Sequence, residues 1–76
     1  MIIKVLGGGC ANCKKLKENT KKALDELNLD ATILEVTDYQ KILEYGVMRT
    51  PALVVDEKVV LSGRVASSNE IKRFLQ

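Results

Sequence analysis

Five residues, Ile2 to Leu6, form a β-branched and aliphatic run that stops at three consecutive glycines, after which the spacing of apolar residues changes. From Ala11 onward, Cys13, Leu16, Thr20, Ala23, Leu24 and Leu27 recur at steps of three and four, with lysines and acids between them. The pattern predicts a short buried strand, a loop, and an amphipathic helix of about four to five turns. Asn28 is a natural stop for that helix. The run Ala31 to Val36 predicts a second strand, and a helical crossover between two strands makes them parallel. This opening βαβ unit limits everything downstream. A chain of 76 residues cannot support two independent cores, so residues 1–76 form a single domain packed onto that unit.

The remaining elements follow from caps and turn signals. Thr37 or Asp38 can cap a short helix carrying Ile42 and Leu43 and closed by Gly46. After Thr50-Pro51 come two apolar runs, Ala52 to Val55 and Val59 to Leu61. With Asp56-Glu57-Lys58 between them they read as a hairpin, although the Asn-Gly or Asp-Gly signal is missing. Gly63 ends the second run. Ser67, with Glu70 three residues on, has the form of a capping box, and Ile71, Phe74 and Leu75 supply the apolar stripe of a last helix. The order is βαβαββα, an α/β arrangement with a mixed sheet. Its parallel strands are expected inside and the hairpin to one side.

A domain this small buries only about 60% of the surface its unfolded chain would expose. A composition that is 46% hydrophobic and nearly all aliphatic suits that demand. Net charge is only +2, from 12 basic and 10 acidic residues, and aromatics are scarce. Both facts argue against a nucleic-acid partner. The basic cluster Lys14, Lys15, Lys17, Lys21 and Lys22 is interrupted by Glu18 and followed by Asp25 and Glu26, as on a solvated helix face. No segment approaches the roughly 20 apolar residues of a membrane span. The start MIIKVLGGG reads as a strand rather than a signal peptide. A cytoplasmic protein is expected, with no membrane partner and acting as a monomer.

The chemistry concentrates in Gly7-Gly8-Gly9-Cys10-Ala11-Asn12-Cys13, where the first strand hands over to the first helix. Residues three apart in a first helical turn share a face, with Cβ atoms about 5–6 Å apart. A disulfide needs Cα atoms roughly 4.4–6.8 Å apart, so the pair can close with little backbone movement. At a helix N-terminus the unpaired N–H groups and the macrodipole favour a thiolate at Cys10. Lys14 and Lys15 oppose the helix dipole but favour that thiolate further. The glycines leave room for a partner's backbone. Cys13 begins the apolar stripe and is expected to be the more buried. That asymmetry suits a nucleophile at Cys10 and a resolving thiol at Cys13.

Rival uses of the two thiols fit less well. So small a ring makes a weak structural staple. A zinc site wants four ligands, and the chain has two Cys and no His. A Cu(I) site built on two thiolates is the alternative that stays open. No cofactor or resident metal is called for. In a reducing cytosol, cysteines at this spacing point to redox exchange.

With these motifs the chain resembles the thioredoxin-like superfamily, and in particular its smallest members, the redox-active disulfide proteins of archaea and bacteria. The likeness rests on Gly9-Cys10-Ala11-Asn12-Cys13, on Thr50-Pro51-Ala52-Leu53, and on Gly63-Arg64-Val65-Ala66-Ser67 leading into a helix. The resemblance implies a four-stranded mixed sheet flanked by three helices, with Cys10 as nucleophile and Cys13 as resolver. It also implies a cis peptide before Pro51 packed against the two sulfurs. Gly9, Ala11, Asn12, Thr50 and Pro51 would meet the substrate, and Thr50, held extended by Pro51, would offer backbone groups to a substrate strand. The implied partners are disulfide-bearing proteins and a thioredoxin-reductase-like electron donor.

The chain also departs from the family. Ala-Asn stands between the cysteines where ordinary thioredoxins have Gly-Pro, Gly9 replaces a tryptophan, and Lys4 stands where a buried acid is usual. Ser67-Ser68 replaces the acidic residue of a glutathione site. Copper-chaperone-like modules place a C-x-x-C at the same junction, but follow the order βαββαβ and precede the first cysteine with Met-Thr, where this chain has Gly8-Gly9.

Overall fold

The structure is a computed structural model that describes residues 1–7 and 11–75. Its elements are β1 (Ile2–Leu6), α1 (Ala11–Leu27), β2 (Thr32–Val36), α2 (Tyr39–Glu44), β3 (Ala52–Val55), β4 (Lys58–Ser62) and α3 (Ser68–Leu75). The order is the expected βαβαββα. The four strands form one mixed sheet in the order β2-β1-β3-β4. β1 runs parallel to β2 and antiparallel to β3, and β3 runs antiparallel to β4.

That strand order corrects one expectation. The parallel pair is not inside the sheet, because β3 takes the free edge of β1 and leaves β2 on the rim. Its exposure agrees, since Thr32, Leu34 and Glu35 are all exposed. β2 also starts one residue later than expected, at Thr32, whose N–H donates to the Met1 carbonyl at 3.1 Å.

α1 buries Cys13, Leu16, Thr20, Ala23 and Leu24, the stripe expected from the sequence. Thr20, a fully buried polar side chain, donates its hydroxyl to the Leu16 carbonyl at 2.7 Å and so is itself satisfied. Asn28 ends the helix with φ 54°, a left-handed conformation that asparagine tolerates better than most residues. Asp38, not Thr37, caps α2, accepting the Gln40 N–H at 3.0 Å. At α3 half of the capping box forms. The Glu70 N–H donates to Ser67 Oγ at 3.3 Å, and the Glu70 carboxylate takes the Arg64 guanidinium at 2.8 Å.

The sheet separates two clusters. On one face Ile3, Val5, Leu53 and Leu61 meet Leu16, Ala23 and Leu24 of α1, together with Ala66 and Ile71. On the other, Leu6, Ala52 and Val54 meet Ile42 of α2 and Val47. Side-chain alternation along β1 sends Ile3 and Val5 to the first face and Lys4 and Leu6 to the second.

The hairpin is tighter than the sequence suggests. Lys58 belongs to β4, so only Asp56 and Glu57 form the turn, with φ 47° and 69°. A two-residue turn with both φ positive matches the strands' right-handed twist but strains residues other than glycine. Tertiary contacts hold it there. Asp56 Oδ1 accepts the Ile2 N–H at 2.9 Å, and the Asp56 N–H donates to the Ile2 carbonyl at 2.9 Å. Lys4 Nζ donates to Glu57 Oε1 at 2.7 Å.

Candidate active site

The C-terminal end of β1 and the first turn of α1 meet the segment that leads into β3. β1 ends at Leu6, and Gly7 extends the ladder by one bond, its N–H donating to the Val36 carbonyl at 3.0 Å. α1 begins at Ala11. Cys10 and Gly9, two of the residues singled out in the sequence, lie outside the described residues. Ala11 and Asn12 are exposed on the first turn of α1. Cys13, one position further on, is 7% exposed. It opens the buried stripe of the helix, as the spacing implied.

Cys13 faces Gly7 across a very short gap. A methyl group placed on Gly7 would lie 2.2 Å from Cys13 Sγ and 3.5 Å from Cys13 Cβ. The same methyl would lie 3.8 Å from Thr50 Cβ. Gly7, Cys13 and Thr50 therefore border one spot, which joins the helix half of the site to the proline half. The sequence marked Gly7 as the end of an apolar run and, with the glycines after it, as room for a partner's backbone. A glycine closing a strand directly before a cysteine-bearing turn was the available signal, but which sulfur it would touch depends on how α1 docks.

Thr50 is exposed and Pro51 buried, and the peptide bond between them is cis. The Pro51 carbonyl accepts the Gly63 N–H at 2.9 Å, which fixes this segment to the end of β4. Gly63 has φ 77°, and a side chain there would crowd Arg49 Cβ at 3.3 Å. Thr50 thus stands beside Gly7 and is exposed to solvent.

A small pocket of about 60 Å³ adjoins Cys13, lined by Val5, Gly7, Lys14 and Glu35. Glu35 comes from the rim strand β2, and Lys17 of α1 donates to its Oε1 at 2.8 Å. That bond, helped by the charges of Lys17, Lys14 and Lys21, holds the Glu35 carboxyl below the usual carboxylate range. Two of the lysines of the basic cluster thus border the thiol pocket or brace its wall.

Lys4 does not reach this site. Its ammonium donates to Glu57 Oε1 and to the Tyr45 hydroxyl, each at 2.7 Å, and sits 5.4 Å from the centre of the Tyr45 ring. The Tyr45 hydroxyl in turn donates to Glu57 Oε2 at 3.2 Å. The Glu57 bond raises the Lys4 pKa, and the same bond lowers that of Glu57. Lys4 is thus a cation committed to bracing the hairpin.

Among the described residues, no group of three or more His, Cys, Asp or Glu side chains is placed to hold a metal ion. No helix among them is long and apolar enough to cross a membrane.

Comparison with known proteins agrees with the geometry. Residues 1–76 match the family model for the thioredoxin domain. The chain is 43% identical over 75 residues to a thioredoxin of Methanothermobacter thermautotrophicus, an alignment covering 99% of this chain and 97% of that protein. It is 41% identical over 76 residues to a thioredoxin of Methanocaldococcus jannaschii, covering 100% of this chain and 87% of that one.

Proposed function

The chain belongs to the thioredoxin domain family, and we propose that it is a thiol–disulfide oxidoreductase working through Cys10 and Cys13. The observation that carries this reading is the placement of Cys13. It is buried in the first turn of α1, against Gly7 and beside the Thr50–Pro51 segment. Cys10, which precedes α1 in the chain, is the nucleophile, and Cys13 is the resolving thiol. The exposed Ala11, Asn12 and Thr50 meet the substrate, and Gly9 and Pro51 are assigned to the same role.

The reaction is a pair of exchanges. The Cys10 thiolate attacks a protein disulfide, forms a mixed disulfide and expels one substrate thiolate, which takes up a proton. The Cys13 thiolate then attacks Cys10 Sγ, forms the intramolecular disulfide and expels the second substrate thiolate. Two electrons pass to the substrate. A thioredoxin-reductase-like donor returns them, and the cycle runs in the cytoplasm.

Trapping tests these roles. With Cys13→Ser, Cys10 still attacks but nothing inside the protein releases the product, so a covalent complex with a disulfide-bearing test protein accumulates on a non-reducing gel. With Cys10→Ser, the shielded Cys13 forms little adduct. Equal trapping by the two variants overturns the assignment. Tight stoichiometric Cu(I) binding under thiol competition, without disulfide exchange, moves the function to soft-metal binding instead.

A further inference from the structure

Gly7 is a glycine without a backbone reason to be one. The glycines with positive φ among the described residues are Gly46 and Gly63, so alanine could adopt the Gly7 backbone conformation without strain. Among the described residues, what excludes a side chain is a single atom. A methyl on Gly7 would meet Cys13 Sγ at 2.2 Å, while its other near neighbours, Cys13 Cβ at 3.5 Å and Thr50 Cβ at 3.8 Å, are at ordinary contact distances. The end of β1 therefore carries a notch one methyl deep, and the sulfur of Cys13 fills it.

We propose that Gly7 is a positioning residue for the resolving step: its bare Cα seats Cys13 Sγ so that it can attack the mixed disulfide at Cys10. The proposal rests on the thiol–disulfide reading above and deepens it. Release of substrate requires the Cys13 thiolate to form a bond to Cys10 Sγ as the Cys10–substrate bond breaks, with the electron pair leaving on the substrate sulfur. The new S–S bond closes only near 2.05 Å and with a restricted dihedral angle. Cys13 has one side-chain torsion, so a methyl on Gly7 drives the sulfur into another staggered well or pushes β1 away from α1. One alternative well is disfavoured inside a helix. Either response misplaces the attacking atom, and a displacement of ~1 Å can slow a positioned reaction by on the order of 10². Attack by Cys10 on the substrate does not use this seat.

The test separates the two steps. Wild type and Gly7→Ala are mixed with a disulfide-bearing peptide, quenched in acid at intervals, and the mixed disulfide and released peptide thiol are quantified. The expected result is a first exchange within a few-fold of wild type and a release on the order of 10-fold to 10²-fold slower, so that the mixed disulfide accumulates even though Cys13 is present. Release within twofold of wild type, or equal slowing of both steps, overturns the proposal. A wild type that performs no exchange removes the underlying reading, a different outcome from a variant that resolves normally.

Stability measurements keep the proposal testable if Gly7→Ala folds poorly. Urea midpoints are compared for Gly7→Ala in the wild-type and Cys13→Ala backgrounds. Since the sulfur is the only clashing atom among the described residues, removing it should abolish most of the Gly7→Ala penalty, a coupling expected only between groups in contact. The same penalty in both backgrounds shows that Gly7 answers to something other than the sulfur, and the proposal fails.

Discussion

The two faces of the sheet are built to different strengths, and the candidate active site draws one half from each. On the α1/α3 face, a helix of 17 residues and a second of 8 cover Ile3, Val5, Leu53 and Leu61. The face is closed further by Asn19 Nδ2, which donates to the Ala66 carbonyl at 2.9 Å, and by the pair between Lys72 and Glu26. On the other face a helix of 6 residues covers Leu6, Ala52 and Val54. Ile2, Leu34 and Leu43 remain exposed there, and Lys4 occupies a position that an apolar side chain could have filled. Cys13 belongs to the strong face. The Thr50–Pro51 segment is approached through Val47 and Ala52 of the weaker cluster. Cys13 thus lies on the face covered by the longer helices, while the Thr50–Pro51 segment leads into the smaller apolar cluster.

Breaking the strong cluster should have the largest effect. Leu16→Ala removes a fully buried side chain from the centre of the α1 face and is expected to cost about 2–5 kcal/mol. In a domain of this size that is a large fraction of total stability. Urea denaturation with an unchanged slope checks it, and a loss below about 1 kcal/mol would mean that the two faces do not differ as described.

Ile42→Ala makes the matching cut on the α2 face, where Ile42 is 3% exposed. Its global cost should be smaller than that of Leu16→Ala, because α2 can open locally and caps the loss at its own opening free energy. Amide exchange is the sharper measurement. The amides of α2 should exchange well before those of α1 and β1 in the native protein, and faster still in Ile42→Ala. Simultaneous exchange of all three elements would show a single cooperative unit.

A smaller effect comes from the α2 cap. Asp38→Ala removes the acceptor for the Gln40 N–H and is expected to cost about 1 kcal/mol. The loss should appear in α2 exchange rates more clearly than in the overall midpoint.

The smallest effect is electrostatic and touches both faces. Four carboxylates are held below the usual range by hydrogen-bonded cations: Glu26 by Lys72, Glu35 by Lys17 and Glu70 by Arg64 around α1 and α3, and Glu57 by Lys4 on the α2 side. A depressed folded pKa stabilises above the unfolded value, about 4.3 for Glu, and the contribution disappears as pH falls through the folded value. Stability should therefore decline below about pH 4, and less steeply in high salt, since these groups are solvated. The Lys4 ammonium works in the opposite direction. Its pKa is raised chiefly by Glu57, so its contribution is complete below about pH 10.4 and is lost only as pH rises through the raised value. Thermal midpoints across this range, for wild type and Lys4→Met, check both limbs. The variant should lose the Glu57 part of the acid decline and keep the rest.

The sequence by itself determined what each segment is. The α1 stripe from Cys13 to Leu24, the stop at Asn28 and the cap at Ser67 were legible because they depend on spacing and on groups a few residues apart. The buried position of Cys13 at the strand–helix junction followed from the same local periodicity. The tertiary structure decided how the segments meet. Nothing local places β2 on the rim, because the choice lies in which edge of β1 the returning strand β3 takes. Nothing local makes Asp56-Glu57 a two-residue turn either. Neither residue prefers positive φ as glycine does, and the conformation is sustained by Ile2, Lys4 and Tyr45 from elsewhere in the chain. The Gly7 notch has the same origin. Periodicity records which face of an element is buried, whereas the gap between a strand's last Cα and one sulfur is set by the docking of the whole helix on the sheet.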